Sequence, residues 1–349
     1  STMRLLMYLN IYANRSYNDV NQYPVFPWII IDYSSDEFPK DISSKEVSRP
    51  LDTPMGMLTI NSDAEQRKND YMDHWDISRD DDDREDDFDR YGSHYSTALY
   101  VSYYLVRVFP FANVRIELQG ASFDDPNRLF NGLKASFYCA STQKSDLREL
   151  VPELFCFPEI LLNNNDFNLG EIKDPSDESK TKIIQEVVAP NWCKNNAYDF
   201  IKKHRELLES FEISQHLNEW LNLIFGSKQK GAAANKIHNL YNCQTYEDYE
   251  STYEEQSPEE KEITCRMAEF GLCPNQVFKS DTSQRKINLD IKIKRQLFFK
   301  SIENYKKLGQ NKITNNIIFE EVIGDITFNH PLNIYYFPKD KDKKNIYIM

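Results

Sequence analysis

The sequence is poor in the features that build nucleotide-binding and membrane-spanning folds. Only 10 of its 349 residues are glycine, and it has no glycine-rich loop of the kind that cradles phosphate, which disfavours a nucleotide-binding fold. No stretch approaches the roughly 18 consecutive apolar residues that a membrane span requires. Residues 1–4 already belong to an amphipathic helical pattern and lack a signal-peptide layout, which suggests a fragment of a longer protein. With 40% hydrophobic residues, the chain can nevertheless bury a substantial core.

Cysteines are few and scattered. The six lie far apart, with no C-x-x-C pair and no zinc-ligand spacing around any of them. This distribution favours reduced thiols, and therefore a cytoplasmic protein, over a disulfide framework. The positions are Cys139, Cys156, Cys193, Cys243, Cys265 and Cys273.

Charge is unevenly distributed along the chain. The net charge is −13, and the 14 basic and 8 acidic residues from Lys279 onward leave −19 on residues 1–278. Such an acidic body repels phosphate backbones, which argues against nucleic-acid binding. It is equally unsuited to anionic lipid unless another domain supplies a basic face.

The histidines invite a search for catalytic or metal sites, but their surroundings favour structural roles. His94 follows Ser93, yet the G-x-S-x-G turn of a serine nucleophile is absent, and we favour a buried, hydrogen-bonded imidazole. His204 has no H-E-x-x-H spacing and lies near Arg205, Glu206 and Glu209. We expect a polar network between helices there, with a metal site as the minor alternative. The sequence therefore predicts no enzymatic activity, no metal and no cofactor.

Residues 57–90 form a long polar insertion. Eight acidic residues lie between Arg79 and Arg90, without the glycine turn and terminal glutamate of an EF-hand loop. We interpret the insertion as a solvated, mobile loop. Weak attraction of Ca²⁺ is the alternative.

The most informative segment covers residues 14–28. Pro24 and Pro27 remove backbone donors and favour extended conformations before them, so residues 23–28 cannot be helical. The large apolar side chains of the segment favour burial, yet two prolines make it a poor member of a sheet. Its peptide groups therefore need other partners. The sequence predicts an extended chain that threads the core and is held in part by the side chains of Asn14, Arg15, Asn18, Asp19, Asn21 and Gln22.

Amphipathic periodicity predicts a mainly α fold around this segment. Beyond residue 278, short extended pieces are expected at 287–293, 317–319, 334–337 and 346–348, with a helix at 297–308. Residues 96–108 favour a buried helix, and a strand is the alternative. The other expected helices are 3–13 (with Leu5, Leu6, Leu9, Tyr12 and Ala13 on one face), one capped by Asp125 and running through Phe137, a short one capped by Ser145, and 199–210, 214–225 and 257–271.

The helix at 214–225 carries the strongest apolar stripe, with Trp220 near its middle and Phe225 at its end. Core packing is the favoured interpretation of this stripe, and a partner surface is the alternative. Lys228, Gln229 and Lys230 follow the helix, and compensation of the helix dipole explains the two lysines. Docking of a partner by Phe225 and these three residues is the second interpretation.

A series of short motifs follows the segment at 14–28. The motifs are 91–96, 118–120, 123–130, 147–153, 163–170, 190–192, 204–210, 216–226 and 270–278. Residues 14–28 resemble the N-terminal signature of the BEACH domain family of large eukaryotic trafficking scaffolds, and the later motifs follow in that family's order as far as about residue 278. One block alone is a weak signal, whereas the ordered series is specific.

The resemblance implies a BEACH-type fold, in which helices surround core segments without regular secondary structure, with a few short strands near the C-terminus. We accordingly expect a BEACH domain over residues 1–278 and a linker or extension over 279–349. The resemblance marks, as signature or core residues, Arg15, Tyr17, Asn18, Asp19, Gln22, Tyr23, Pro24, Phe26, Pro27, Trp28, His94, Tyr95, Ser96, His204, Arg205, Glu206, Glu219 and Trp220.

The resemblance also implies partners and a function. A PH-like domain is expected immediately upstream, packed against this one, and WD40 repeats are expected downstream. The implied role is a non-catalytic scaffold that binds trafficking proteins in vesicle traffic, lysosome-related processes and autophagy. The full-length protein would be cytoplasmic and peripheral on endomembranes. A Ca²⁺- or lipid-responsive module that contacts membranes is the alternative.

Overall fold

The computed structural model describes residues 1–39, 41–44, 46–77, 91, 93–174, 177–242, 245–246 and 271–285, together with two strands between residues 334 and 348. The chain divides into two compact units, Ser1–Lys286 and Ile287–Met349. The predicted domain boundary at residue 278 stays a prediction.

Helices make up most of the regular structure of the first unit, and the mainly α class is confirmed. An antiparallel hairpin of β1 (Glu171–Asp174) and β2 (Asp177–Ile183), which the sequence analysis missed, follows α5. The helices are α1 (Thr2–Tyr12), α2 (Ser62–Ile77), α3 (Ala98–Tyr104), α4 (Phe111–Leu118), α5 (Leu133–Thr142), α6 (Ala197–Leu208), α7 (Phe211–Ile224) and α8 (Gly231–Lys236).

The described part of the second unit is an antiparallel pair of strands. In this pair β3 (Ile334–Asp340) runs against β4 (Lys343–Ile348), with Ile334 opposite Ile348 and Tyr336 opposite Ile346. The extended pieces predicted at 334–337 and 346–348 are confirmed. The elements predicted at 257–270, 287–293, 297–308 and 317–319 lie outside the described residues.

Capping side chains set the starts of several helices, some of them earlier than the periodicity indicated. Asn196 caps α6 and Ser210 caps α7, so both helices begin two or three residues before the predicted positions. Thr97 caps α3 through a bond from the amide of Tyr100 (3.1 Å), and this helix ends well before residue 108. The strand alternative for this stretch is wrong.

Two predicted helices are interrupted. Asp125 caps only the 3₁₀ turn Pro126–Arg128, and the chain runs extended again before α5 begins. The short helix expected after Ser145 is absent. Leu150 there pairs with the extended segment, and Pro152 starts a 3₁₀ turn of its own.

Part of the polar insertion is an ordered helix, which corrects the prediction of a solvated loop over 57–90. Ala64, Arg67 and Tyr71 lie three and four residues apart on one face of α2 and are buried. The guanidinium of Arg67 donates to the carbonyl oxygens of Ala140 (2.9 Å) and Asp146 (3.2 Å). The sequence did not predict α2 because a charged residue, Arg67, occupies one of the buried positions of its amphipathic pattern. The acidic run at 79–90 lies outside the described residues.

The proline-containing segment occupies the centre of the first unit, as predicted. Tyr23, Val25, Phe26, Trp28 and the two isoleucines that follow are at most 1% exposed. The segment makes single β-bridges rather than a strand, through Phe26 to Leu150 and through Ile30 to Ser48. Other peptide groups of the segment, at Tyr23, Val25 and Trp28, bond to side chains.

Asn10 of α1 supplies one such partner. Its carboxamide donates to the carbonyl oxygen of Val25 (3.0 Å) and accepts from the amide of Val25 (2.8 Å). The sequence analysis expected these bonds from residues 14–22, whereas Asn10 lies on a helix that crosses the segment. The exposed positions of α1 also differ from prediction, since Leu5 and Tyr12 are 37% and 76% exposed.

Replacing Asn10 by alanine should lower the free energy of unfolding by about 2–4 kcal/mol, because the buried amide and carbonyl of Val25 both lose their partner. Urea unfolding measures this change. Asn18→Ala, which removes the same group from an exposed position, is the matched control and should change stability by less than about 0.5 kcal/mol. Equal effects of the two substitutions would contradict this account of the segment.

Candidate functional site

Arg15 fixes the start of the extended segment from within the core. Its guanidinium donates to the carbonyl oxygens of Asn21 and Tyr23 (3.4 Å each) and to that of Leu272. Burial lowers the pKa of Arg15. The side chain thereby joins the segment to the described stretch 271–285, which is distant in sequence.

Glu149 is the central polar group of the site. Its two carboxylate oxygens lie 2.7 and 2.9 Å from Arg49 Nη1 and accept from the amide of Trp28 (3.1 Å) and the indole Nε1 of Trp220 (3.0 Å). The Trp28 indole donates to the carbonyl oxygen of Arg148 at 2.8 Å. Burial raises the pKa of Glu149, whereas the Arg49 charge and the hydrogen bonds oppose the rise. One carboxylate thus ties the extended segment to α7.

His94 lies in the core, where the sequence analysis favoured placing it. Its ring stacks on Tyr241 at 4.3 Å between centroids, and its Nδ1 lies 3.9 Å from Cys273 Sγ. Burial, and secondarily the charge of Arg15, lowers the pKa of His94 to about 3. Gly271 packs so closely that a Cβ there would collide with His94.

His204 is enclosed as well, which corrects the prediction that it joins a polar network with Arg205, Glu206 and Glu209. Its Nδ1 lies 2.9 Å from the carbonyl oxygen of Leu154, and its Nε2 lies 3.2 Å from the hydroxyl of Tyr33. Burial lowers the pKa of His204 to about 4. The network between helices forms without His204: Glu209, just after α6, pairs with Arg205 and accepts from the amides of Thr2 and Met3 at the start of α1.

The other signature residues divide between core and surface. Tyr17 is 40% exposed and packs edge-on against the ring of Tyr23, while Asp19 accepts from the amides of Asn21 and Gln22 within its own loop. Buried with the segment are Pro24, Pro27, Tyr95, Ser96 and Trp220. Asn18 and Glu206 are exposed, Gln22 is half-buried, and Glu219 pairs with His216 on α7.

The predicted docking residues also divide between buried and partly exposed positions. Phe225 is buried against Trp220, and the Gln229 carboxamide donates to the carbonyl oxygens of Ile224 (2.6 Å) and Pro274 (2.7 Å). Neither side chain is therefore accessible in this arrangement, which corrects that part of the hypothesis. Lys228 and Lys230 are half-buried, and docking through them stays a prediction.

Sequence reasoning missed three residues that hold the site together, namely Asn10, Arg49 and Glu149. Asn10 is a single polar residue between Leu9 and Ile11, and such a residue usually reads as a break in the hydrophobic pattern. Glu149 lies in the block 147–153 that resembles the family, but nothing local distinguishes this charged residue from Arg148 beside it.

Within the described ranges, no group of three or more His, Cys, Asp or Glu side chains could hold a metal ion. A search of the same residues for membrane spans finds no helix with the length and apolar character to cross a bilayer. The outward face of α1 is nevertheless apolar: Leu5, Tyr8, Ile11 and Tyr12 are between 37% and 76% exposed.

Replacing Arg49 by methionine should lower the free energy of unfolding by about 3–5 kcal/mol, because the Glu149 carboxylate then lacks its counter-charge in the core. Adding Glu149→Gln should recover part of this loss, since a neutral amide is less costly to bury than a carboxylate. Chemical unfolding of the single and double variants measures both effects. Lys144→Met, which breaks the more exposed pair with Asp70, is the control and should cost about 0–1 kcal/mol. A double variant no more stable than Arg49→Met would contradict the assignment.

The two buried histidines should make the domain less stable in acid. In the unfolded chain both protonate below about pH 6.5, whereas in the folded chain their pKa values are about 3 and about 4. Their contribution is therefore complete above pH 6.5 and falls as the pH drops toward 4, by up to about 1.4 kcal/mol per pH unit for each histidine. Urea unfolding between pH 7.5 and 5 measures the slope.

His204→Asn, which can keep a donor near the Leu154 carbonyl, should reduce that slope. His216→Asn, at an exposed position of α7, is the matched control. An unchanged slope in His204→Asn would contradict the assignment of a neutral, buried imidazole.

Comparison with known proteins identifies the family. The Beige/BEACH domain model matches residues 1–285. The chain is 38% identical over 289 residues to BEACH domain-containing protein A2 of Arabidopsis thaliana, covering 82% of this chain and 8% of that protein. It is 38% identical over 281 residues to Beige protein homolog 1 of Saccharomyces cerevisiae, with coverages of 80% and 12%. Beige protein homolog 1 of Schizosaccharomyces pombe is 35% identical over 294 residues, with coverages of 82% and 10%.

The chain thus spans about a tenth of the length of these curated relatives. The range matched by the family model contains both the buried signature segment and the Glu149 cluster. The chain belongs to the Beige/BEACH domain family.

Proposed function

We propose that this domain is a non-catalytic scaffold module of a large multidomain protein in vesicle trafficking and membrane dynamics. Family membership carries the proposal, because the related proteins named BEACH or Beige are many times longer than the part that this chain matches. We further propose a cytoplasmic protein, peripheral on endomembranes, with an upstream PH-like domain, downstream WD40 repeats, and a role in lysosome-related processes or autophagy.

The state of the signature residues supports a non-catalytic role. His94 and His204 are buried, hydrogen-bonded or stacked, and held neutral by depressed pKa values. A general base must reach the proton that it abstracts, which these rings cannot do from within the core. These two signature residues therefore stabilise the core, and we attribute the function of the domain to its surface.

The outward face of α1 supports a binding role. Arg4 is the only charged residue of this helix, and two tyrosines, a leucine and an isoleucine project from it. Aromatic side chains at an exposed apolar face are typical of protein–protein interfaces. The acidic body makes an anionic membrane a poorer partner for the same face.

We expect a separately produced PH-like domain from the same full-length protein to bind this chain with measurable heat in isothermal titration calorimetry. Tyr8→Ser combined with Tyr12→Ser should weaken binding at least about tenfold if α1 contributes hot spots. Tyr198→Ser, the same change at a 60% exposed position on α6, is the matched control. The absence of heat at high concentration of both proteins would count against the scaffold proposal.

The Ca²⁺- or lipid-responsive alternative depends on the acidic run at 79–90, which lies outside the described residues, and on the basic tail from Lys279 onward. Co-sedimentation with liposomes, with and without Ca²⁺, separates the two proposals. Pelleting that requires Ca²⁺ or anionic lipid would favour the alternative, whereas a scaffold that works only through proteins stays in the supernatant.

A further inference from the structure

A polar cleft lies beside the start of the extended segment. Its volume is about 190 Å³, and its lining comes from three parts of the chain: Asn14 and Gln22, then Thr245 and Tyr246, then Leu272, Cys273 and Asn275. Sites for small-molecule ligands usually measure about 300–1,000 Å³. This cleft is smaller, and it suits a short part of a larger molecule.

Two carboxamides of the lining are available to a ligand. Within the described residues, the side chains of Asn14 and Gln22 make no hydrogen bond, although their backbone amides bond to the carbonyl oxygens of Ile11 and Asp19. A carboxamide offers two donors and one acceptor, so the pair can bond to several amide groups at once. Among the described residues of the lining there is no acidic or basic side chain, and such a lining suits a neutral ligand.

The fold already uses carboxamides to hold extended backbone. Asn10 bonds to both the amide and the carbonyl of Val25, at 2.8 and 3.0 Å. Gln229 donates to the carbonyl of Pro274, and Gln276 donates to that of Gly226 (2.8 Å). A peptide in extended conformation presents amide and carbonyl groups in the arrangement that Asn10 recognises internally.

We propose that the cleft binds a short extended peptide segment of a partner protein, with Asn14 and Gln22 bonding to its main-chain amides. This inference rests on the proposed scaffold function, since it names one site through which the module would hold partners. The charge of Arg15, which donates to the neighbouring Leu272 carbonyl, adds a positive potential that favours the carbonyl oxygens of a peptide.

The variants can remove the carboxamides without disturbing the backbone. Asn14 has φ 64° just after the last turn of α1, where glycine is the commonest residue. Asn14→Gly therefore keeps the helix end and removes only the side chain. Gln22→Met keeps the length of the other side chain and removes its donors and acceptor. Gln215→Met, the same change at a half-buried position on α7, is the control.

The probe is a phage-displayed library of random twelve-residue peptides selected on the immobilised chain. Selected peptides are synthesised and titrated by calorimetry into the unaltered chain, the Asn14→Gly/Gln22→Met double variant and Gln215→Met. We expect the double variant to bind at least about tenfold more weakly, as the loss of hydrogen bonds worth about 1.4 kcal/mol in total requires. The control should bind normally, and urea midpoints verify that all three proteins are folded.

NMR supplies a second readout that does not depend on affinity alone. On addition of a selected peptide, the side-chain NH₂ resonances of Asn14 and Gln22 should shift, while that of Gln215 should not. A selection that yields no binding peptide, or peptides that bind the double variant as tightly as the unaltered chain, would overturn the inference. Titration of the PH-like domain into the same double variant keeps the two proposals apart, because retained heat there leaves the scaffold proposal standing whatever the peptides do.

Discussion

A single buried carboxylate binds two tryptophans of the core and fixes their relative position. Glu149 accepts from the backbone of Trp28 and from the indole of Trp220, and Arg49 neutralises its charge at 2.7 Å. Trp28 belongs to the extended segment, Arg49 follows Ser48, which bridges to that segment, and Trp220 belongs to α7. A charge so deeply buried is tolerated only while it is paired and hydrogen-bonded. The packing of the centre therefore depends on these contacts being made together.

Buried polar side chains also satisfy backbone groups elsewhere in the core. Pro24 and Pro27 prevent the central segment from joining a sheet, so its peptide groups require partners that a sheet would otherwise provide. Asn10 and Arg15 provide some of them, and Arg67 does the same for carbonyl groups in the last turn of α5 and after it. Polar side chains at buried positions are thus the means by which an irregular chain can occupy the centre of a helical domain.

The signature contributes to the surface of the domain as well as to its core. Trp28, His94 and His204 lie in the interior and support the shape of the domain. At the start of the signature segment, Asn14 is exposed and Gln22 is half-buried, and the outward face of α1 is apolar and exposed. The partner contacts that we propose involve these two surfaces, which adjoin the buried part of the same chain.

The sequence by itself determined the family, the mainly helical class and the extended, buried course of the central segment. Proline chemistry and hydrophobic periodicity are local, and local rules suffice for those features. Only the tertiary structure decided which side chains satisfy that segment, because Asn10, Arg49 and Glu149 approach it from distant parts of the chain. It also decided that Phe225 and Gln229 are buried and that α2 is a packed helix. Such outcomes depend on contacts between residues far apart in sequence, and no local pattern records them.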